Sequence, residues 1–189
     1  MKQKMVRDLM IPIEDYATVH EDATIKEAIF ALEAVHDRYS DLRFKHRAVL
    51  VLDSHGLVVG KLSMHDVIVA LEPAYRQLGD YRMLHRSGLS MDFLESLRES
   101  FAMWEHPMES ICEKAGLQRV KNVMYTPTEH EHVEADATLD MAVHQLVVGS
   151  HQSLLVVDEG RIIGILRLVD VFLAVADAIK NCVEEQEGG

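Results

Sequence analysis

Gly60-Lys61-Leu62-Ser63-Met64-His65-Asp66 has a partner later in the same chain, Gly164-Ile165-Leu166-Arg167-Leu168-Val169-Asp170. Each stretch runs from a glycine through a short apolar strand to an aspartate on the next helix. Working backwards, each follows a second apolar strand that ends on an aspartate, Asp53 or Asp158. Further back, Ala23-Thr24-Ile25 with Ala28 matches Ala137-Thr138-Leu139 with Ala142. At the start of each copy, Val6-Arg7-Asp8-Leu9-Met10 before Pro12 matches Val120-Lys121-Asn122-Val123-Met124 before Pro127. A repeat of this length indicates one supersecondary unit used twice.

The local signals order that unit as β-α-β-β-α. In copy one, Tyr16–His20 alternates as a short strand. Thr24 and Glu27 then make a capping box at a helix start. Ile25, Ala28, Ile29, Leu32 and Val35 follow at helical spacing, which predicts one buried stripe. Residues 47–52 and 57–62 read as a hairpin turned by Asp53-Ser54-His55-Gly56. Ser63 caps a last helix that stops before Pro73. In copy two, Leu139, Ala142, Val143, Leu146 and Val147 form the helical stripe, although Met141 replaces the capping-box glutamate. Residues 153–157 and 161–166 form the hairpin, and 168–179 the closing helix. The expected class is α/β (α+β), two tandem repeats packed as a pseudo-twofold module with a helical insert. Copy one is placed at 5–71, the insert at 72–118, copy two at 119–180 and an acidic, mobile tail at 181–189.

The insert contains a helix starting after Ser90, with Asp92 in its first turn and Met91, Leu94, Leu97, Phe101 and Trp104 on one face. Residues 108–115 suggest a second short helix ending at Gly116. Such a stripe is core, a dimer contact or a surface for a partner protein.

The 189 residues carry 19 basic and 31 acidic side chains, a net charge of −12. That balance argues against nucleic acid, whose phosphates need a basic footprint. At 48% hydrophobic, the chain has the material for a packed core. Cys112 and Cys182 have no metal-type spacing and read as free thiols of a reducing compartment. No signal-peptide pattern or apolar run of about 18 residues is present, so a cytoplasmic protein without membrane contact is expected.

Ser63 and Asp66 share the first turn of one helix. A carboxylate there can accept hydrogen bonds from vicinal hydroxyls, and a helix start offers N–H groups to an anion. Gly60 would allow close approach of a ligand or of backbone. The same residues also make sense as a plain N-cap and a carboxylate complementing the helix dipole.

The order of elements, the opening Met-x-Pro or Met-x-x-Pro, and the Gly-x-Leu-Ser-x-x-Asp ending together resemble the CBS domain, and two copies resemble the CBS-domain pair, or Bateman module. The resemblance covers both copies and omits the insert. It implies a regulatory module that binds AMP, ADP, ATP or S-adenosylmethionine between the repeats, with no cofactor required and a disc-like homodimer as the usual assembly. It assigns Ser63 and Asp66, with Gly60, to the ribose. The loop at Ile11 and Pro12 would wall the adenine, and Arg47 at the start of the second strand would reach phosphates. His151 and Gln152 occupy the corresponding region of copy two. Arg167 stands where a small hydroxyl is expected. It can pair with Asp170, fill the second cleft or reach a phosphate, and the first two would close that site.

Glu129-His130-Glu131-His132 alternates faces in a loop or strand, which leaves too few ligands per face for zinc. His65, beside Asp66, is the histidine of interest for pH sensitivity. No phosphate-loop, dinucleotide or nucleophile signature is present. The expectation is therefore a non-enzymatic sensor with one good adenosyl site at Ser63 and Asp66 and a doubtful one at Arg167 and Asp170. The alternatives are a ligand-free dimeric interaction module and, further off, a nucleotide-hydrolysing enzyme.

Overall fold

The computed structural model describes residues 4–38, 46–72, 90–100 and 110–187. The sequence-based readings for Phe101 and Trp104 fall outside them.

Copy one supplies β2 (Thr18–His20), α1 (Ile25–Arg38), β3 (Ala48–Leu52), β4 (Val58–Ser63) and α2 (Met64–Leu71). Thr24 opens α1 as expected: its N–H donates to Glu27 Oε2 at 2.6 Å, and the Glu27 N–H donates back to Thr24 Oγ1 at 3.2 Å. The β3–β4 turn is held by Asp53, whose Oδ1 accepts from the N–H groups of His55 and Leu57 at 2.8 and 2.9 Å. β2 runs parallel to β3, and β4 returns antiparallel. Copy two repeats this with β5 (His132–Glu134), α5 (Leu139–Val148), β6 (Ser153–Asp158), β7 (Arg161–Arg167) and α6 (Leu168–Glu187). Between them lie α3 (Met91–Ser100) and α4 (Ile111–Leu117). Ser90 Oγ accepts the Phe93 N–H at the start of α3. α4 buries Ala115 against Ile25, Ala70 and Leu71.

The segment expected as a tail is helical through Glu187. Val183-Glu184-Glu185-Gln186-Glu187 contains no helix breaker before Gly188, so nothing local ends α6 sooner.

Copy boundaries in the chain and in space differ. The opening segment of each copy crosses to the other. The Val6 and Arg7 N–H groups donate to the carbonyls of Ala137 and Ala135, both at 3.0 Å. In return, the Val120 and Lys121 N–H groups donate to Ala23 and Glu21, at 2.8 and 3.0 Å. The crossing satisfies donors that a helix start leaves open: the Ile25 N–H reaches Gln118 O, and the Leu139 N–H reaches Lys4 O. It also fills cores. Val6 is fully buried among Val133, Ala142, Leu146 and Leu166 of copy two, and Val120 among Ala28, Val51 and Leu62 of copy one. Burying each such side chain stabilises the fold by about 1.5–3 kcal/mol. Arg7 pairs with Asp136, and Lys121 with Asp22 at 2.7 Å.

β1 (Ile11–Pro12) completes the exchange by pairing antiparallel with β7, giving one sheet of order β1-β7-β6-β5 and another of order β2-β3-β4. The two sheets meet at Tyr16, Leu50, Leu155 and Ile165. The ends of β4 and β7, where the candidate residues sit, flank this layer.

Candidate functional site

β4 ends at Ser63, and α2 begins on the next residue. The Ser63 N–H and Oγ–H both donate to Asp66 Oδ2, at 3.0 and 2.6 Å, and the Asp66 N–H returns to Ser63 Oγ at 3.2 Å. Asp66 is 8% exposed. The N-cap role and the proximity needed for a hydroxyl-recognition pair are thus the same geometry. Arg47 belongs here too: its carbonyl accepts the Met64 N–H at 3.0 Å, and Ala48 faces Ser63 across the β3–β4 ladder. Its side chain is exposed.

Gly60 does allow a close approach, but the neighbour is protein. A Cβ there would overlap the Met124 side chain. Beside it, Lys61 and Tyr125 exchange backbone hydrogen bonds of 2.8 and 2.9 Å. The segment that lies against β4 therefore comes from copy two.

A partly buried polar cluster follows. Lys61 Nζ lies 3.3 Å from Glu131 Oε2 and 3.4 Å from Ser153 Oγ. The Tyr125 hydroxyl donates to Glu131 Oε1. Burial alone would push the Glu131 carboxyl up; the Tyr125 hydroxyl and the Lys61 charge outweigh it and hold it below the usual carboxylate range. Glu131 closes a capping box with Thr128. Sequence reasoning passed over this cluster, although Thr128-x-x-Glu131, which overlaps the Glu-His-Glu-His run, repeats the Thr24-x-x-Glu27 signature.

Ile11 and Pro12, expected to wall the adenine, lie against β7. Ile11 faces Ile165 and Pro12 faces Gly164 on β7, so both stand on the Arg167 side. The crossing of the opening segments is the physical reason, and Tyr125 takes the matching place beside Lys61, two residues before Ser63. At Gly164 a Cβ would come within 2.6 Å of the Ile11 carbonyl oxygen.

Of the three roles open to Arg167, the structure shows the pairing: Nε and Nη2 bind Asp170 Oδ2 and Oδ1, each at 2.6 Å. Arg167 is 7% exposed. Nearby, His46 stacks on Tyr16 with centroids 4.2 Å apart and rings 14° from parallel. His46 is 1% exposed, and neither ring nitrogen has a hydrogen-bond partner among the described residues. Burial, then the Arg167 charge, lowers its pKa to about 4. Burial raises that of Tyr16 to about 12.

His151 joins neither group directly. It folds over Gly149 at the end of α5 and lines a cavity of about 610 Å³ with His130, His144, Met141, Gln145 and Val148. The counterpart of Arg47 is Gln152, whose carbonyl accepts the Leu168 N–H at 3.0 Å. Among the described residues, no group of three or more His, Cys, Asp or Glu side chains is placed to hold a metal ion. No described helix is long and apolar enough to cross a membrane.

A family model for the CBS domain matches residues 6–73 and 120–177. Comparison with curated proteins finds no match. Among solved structures, the chain is similar to a CBS domain-containing protein of unknown function from Bacillus anthracis str. Ames Ancestor, at 18% identity and a TM-score of 0.61, covering 93% of this chain and 94% of that one. It is similar to CBSX2 in complex with AMP, at 20% identity and a TM-score of 0.57, covering 92% and 97%. It is also similar to the cytosolic domain of the Mg2+ channel MgtE in complex with ATP, at 21% identity and a TM-score of 0.53, covering 88% of this chain and 46% of that one.

Proposed function

This chain belongs to the CBS-domain family, and on that premise we propose that it is a regulatory module binding one adenosyl ligand at the β4–α2 junction. The observation that carries the reading is the contrast between the two junctions. Asp66 is capped by a small hydroxyl that a ribose can replace or join, whereas Asp170 has both carboxylate oxygens taken by a guanidinium. Ser63 and Asp66 receive the ribose hydroxyls. The first N–H groups of α2 and the Arg47 side chain favour an anionic group beside it. Met124 and Tyr125, which lie against Gly60 and Lys61, take the walling role that the family resemblance gave to Ile11 and Pro12. Solved relatives of the same fold in complex with AMP and with ATP support adenine nucleotides as the class to test.

CBS-domain modules regulate rather than catalyse. Here the ligand acts by differing affinity for two arrangements of the repeats, since equal affinity would shift nothing. Exposed Met64 and Ile68 on α2, with Phe172, Val175 and Ile179 on α6, support a homodimer built through the helices that end the repeats. The second reading, a ligand-free interaction module, is favoured by the mutual satisfaction of Ser63 and Asp66.

Isothermal calorimetry with AMP, ATP and S-adenosylmethionine separates the two. Binding of one ligand per chain, lost in Asp66→Ala, supports the sensor. Silence at millimolar ligand across the panel removes it.

A further inference from the structure

The polar cluster beside Ser63 has a counterpart on the other side of the pseudo-twofold, and the counterpart is wholly apolar. Register sets the matches. Thr18 pairs with Leu50 as His132 pairs with Leu155, and the residues before them are Ala17 and Glu131. Ala48 faces Ser63 as Ser153 faces Arg167. Ile11 faces Ile165 as Tyr125 faces Lys61. The symmetry mates of Tyr125, Glu131, Ser153 and Lys61 are thus Ile11, Ala17, Ala48 and Ile165, so one set is polar and the other apolar. Four polar residues from four separate segments, bonded to one another, make a built arrangement.

Its position links it to the ligand. Lys61 and Ser63 are two apart on β4 and so share a face, with roughly 7 Å of strand between them. The flexible four-carbon stem of a lysine spans that distance. Its bonds in the cluster are long, 3.3 and 3.4 Å, and Glu131 keeps the Tyr125 hydroxyl without it. Lys61 is the member of the cluster that can leave, provided another anion receives its charge.

We infer that Lys61 is a specificity-determining cation of the Ser63–Asp66 site, held by Glu131 when the site is empty and transferred to the phosphate of an adenosine monophosphate-class ligand when it is filled. This assignment rests on the nucleotide reading above. It adds a means of signalling. Lys61 belongs to copy one, and Glu131 and Ser153 to copy two, so a phosphorylated ligand exchanges a tie between the repeats for a tie to itself. Unphosphorylated adenosine leaves that tie in place.

The experiment is calorimetry of AMP and of adenosine on the full chain, comparing wild type with Lys61→Met, Lys61→Arg and Glu131→Gln. Loss of a charged hydrogen bond predicts that Lys61→Met weakens AMP about tenfold or more and leaves adenosine unchanged. Lys61→Arg keeps most of the preference, and Glu131→Gln tightens AMP because the competing carboxylate is gone. If Lys61→Met alone melts early, the double variant Lys61→Ile with Glu131→Ala, which copies Ile165 and Ala17, carries the same test. Equal weakening of both ligands by Lys61→Met, or no weakening of AMP, overturns the assignment and leaves the nucleotide reading standing. If neither ligand binds wild type, the nucleotide reading falls and the assignment falls with it.

Discussion

Arg167 grips Asp170 through two hydrogen bonds of 2.6 Å, one to each carboxylate oxygen. At the matching place in copy one, a serine stands where copy two has the arginine, and Ser63 and Asp66 form a reciprocal cap. This difference makes the repeats unequal. Arg167→Ala strands Asp170 without its cation, and breaking a mostly buried pair costs about 3 kcal/mol. Arg167→Ser restores the copy-one cap and should recover part of that loss in urea unfolding. It should also raise nucleotide stoichiometry from one to two per chain, and a stoichiometry unchanged at one would show that more than Arg167 closes the second site.

Ser63 serves both the fold and the ligand, and a control separates the two roles. Ser63→Ala removes the α2 cap at a cost of about 1 kcal/mol and should weaken nucleotide binding. Thr24→Ala removes the equivalent cap on α1, far from Asp66 along the chain, and should lower the melting temperature without changing affinity. Equal losses of affinity in both variants would reduce Ser63 to a structural cap.

The order of elements was legible because each carries its own local signal: Thr24-x-x-Glu27 for α1, the Asp53 turn for the first hairpin, Ser63 for α2. The crossing was not. Val6 and Val120 begin similar amphipathic openings, and nothing in their spacing says which of two similar cores receives which valine. Only the hydrogen bonds from Val6 to Ala137 and from Val120 to Ala23 settle it. The same crossing places Ile11 and Pro12, expected to wall the adenine, against Ile165 and Gly164 of β7. Ser63, Asp66, Gly60 and Arg47 were legible as neighbours because they lie on one hairpin and the helix after it. Lys61 was not, since a lysine in a strand reads as solvent-facing, and its partners Glu131 and Ser153 are distant in sequence.

Gly60 and Gly164 match in sequence but not in what lies against them. A Cβ at Gly60 meets the Met124 side chain, which can change rotamer. A Cβ at Gly164 meets the Ile11 carbonyl oxygen at 2.6 Å, and backbone held in a strand pairing cannot move aside alone. Gly164→Ala should therefore destabilise by about 2 kcal/mol or more, in the range of overpacked cores, and Gly60→Ala by less. The order of the two denaturation midpoints decides this, and a reversed order would contradict the crossing as described.

His46 gives the fold a pH dependence whose sign follows from its burial. Its pKa falls from 6.5 to about 4, chiefly through desolvation. The unfolded chain therefore binds a proton at this residue more readily than the folded one. The neutral ring's advantage is complete above pH 6.5 and is progressively lost as pH falls from there through about 4. The depressed carboxylates Asp22, Glu27, Asp53 and Glu131 also lose stabilisation in acid, but their ordinary values of 3.8 and 4.5 confine that loss to lower pH. His46→Phe keeps an aromatic partner for Tyr16 and removes two buried nitrogens that have no hydrogen-bond partner among the described residues. At pH 7 this replacement should be neutral or stabilising, because an unsatisfied buried polar group costs more than an apolar one of similar shape. Between pH 6.5 and 5 the wild type should lose stability while the variant stays nearly level. Parallel wild-type and His46→Phe unfolding curves across that window would mean that His46 is hydrated or charged in the folded protein.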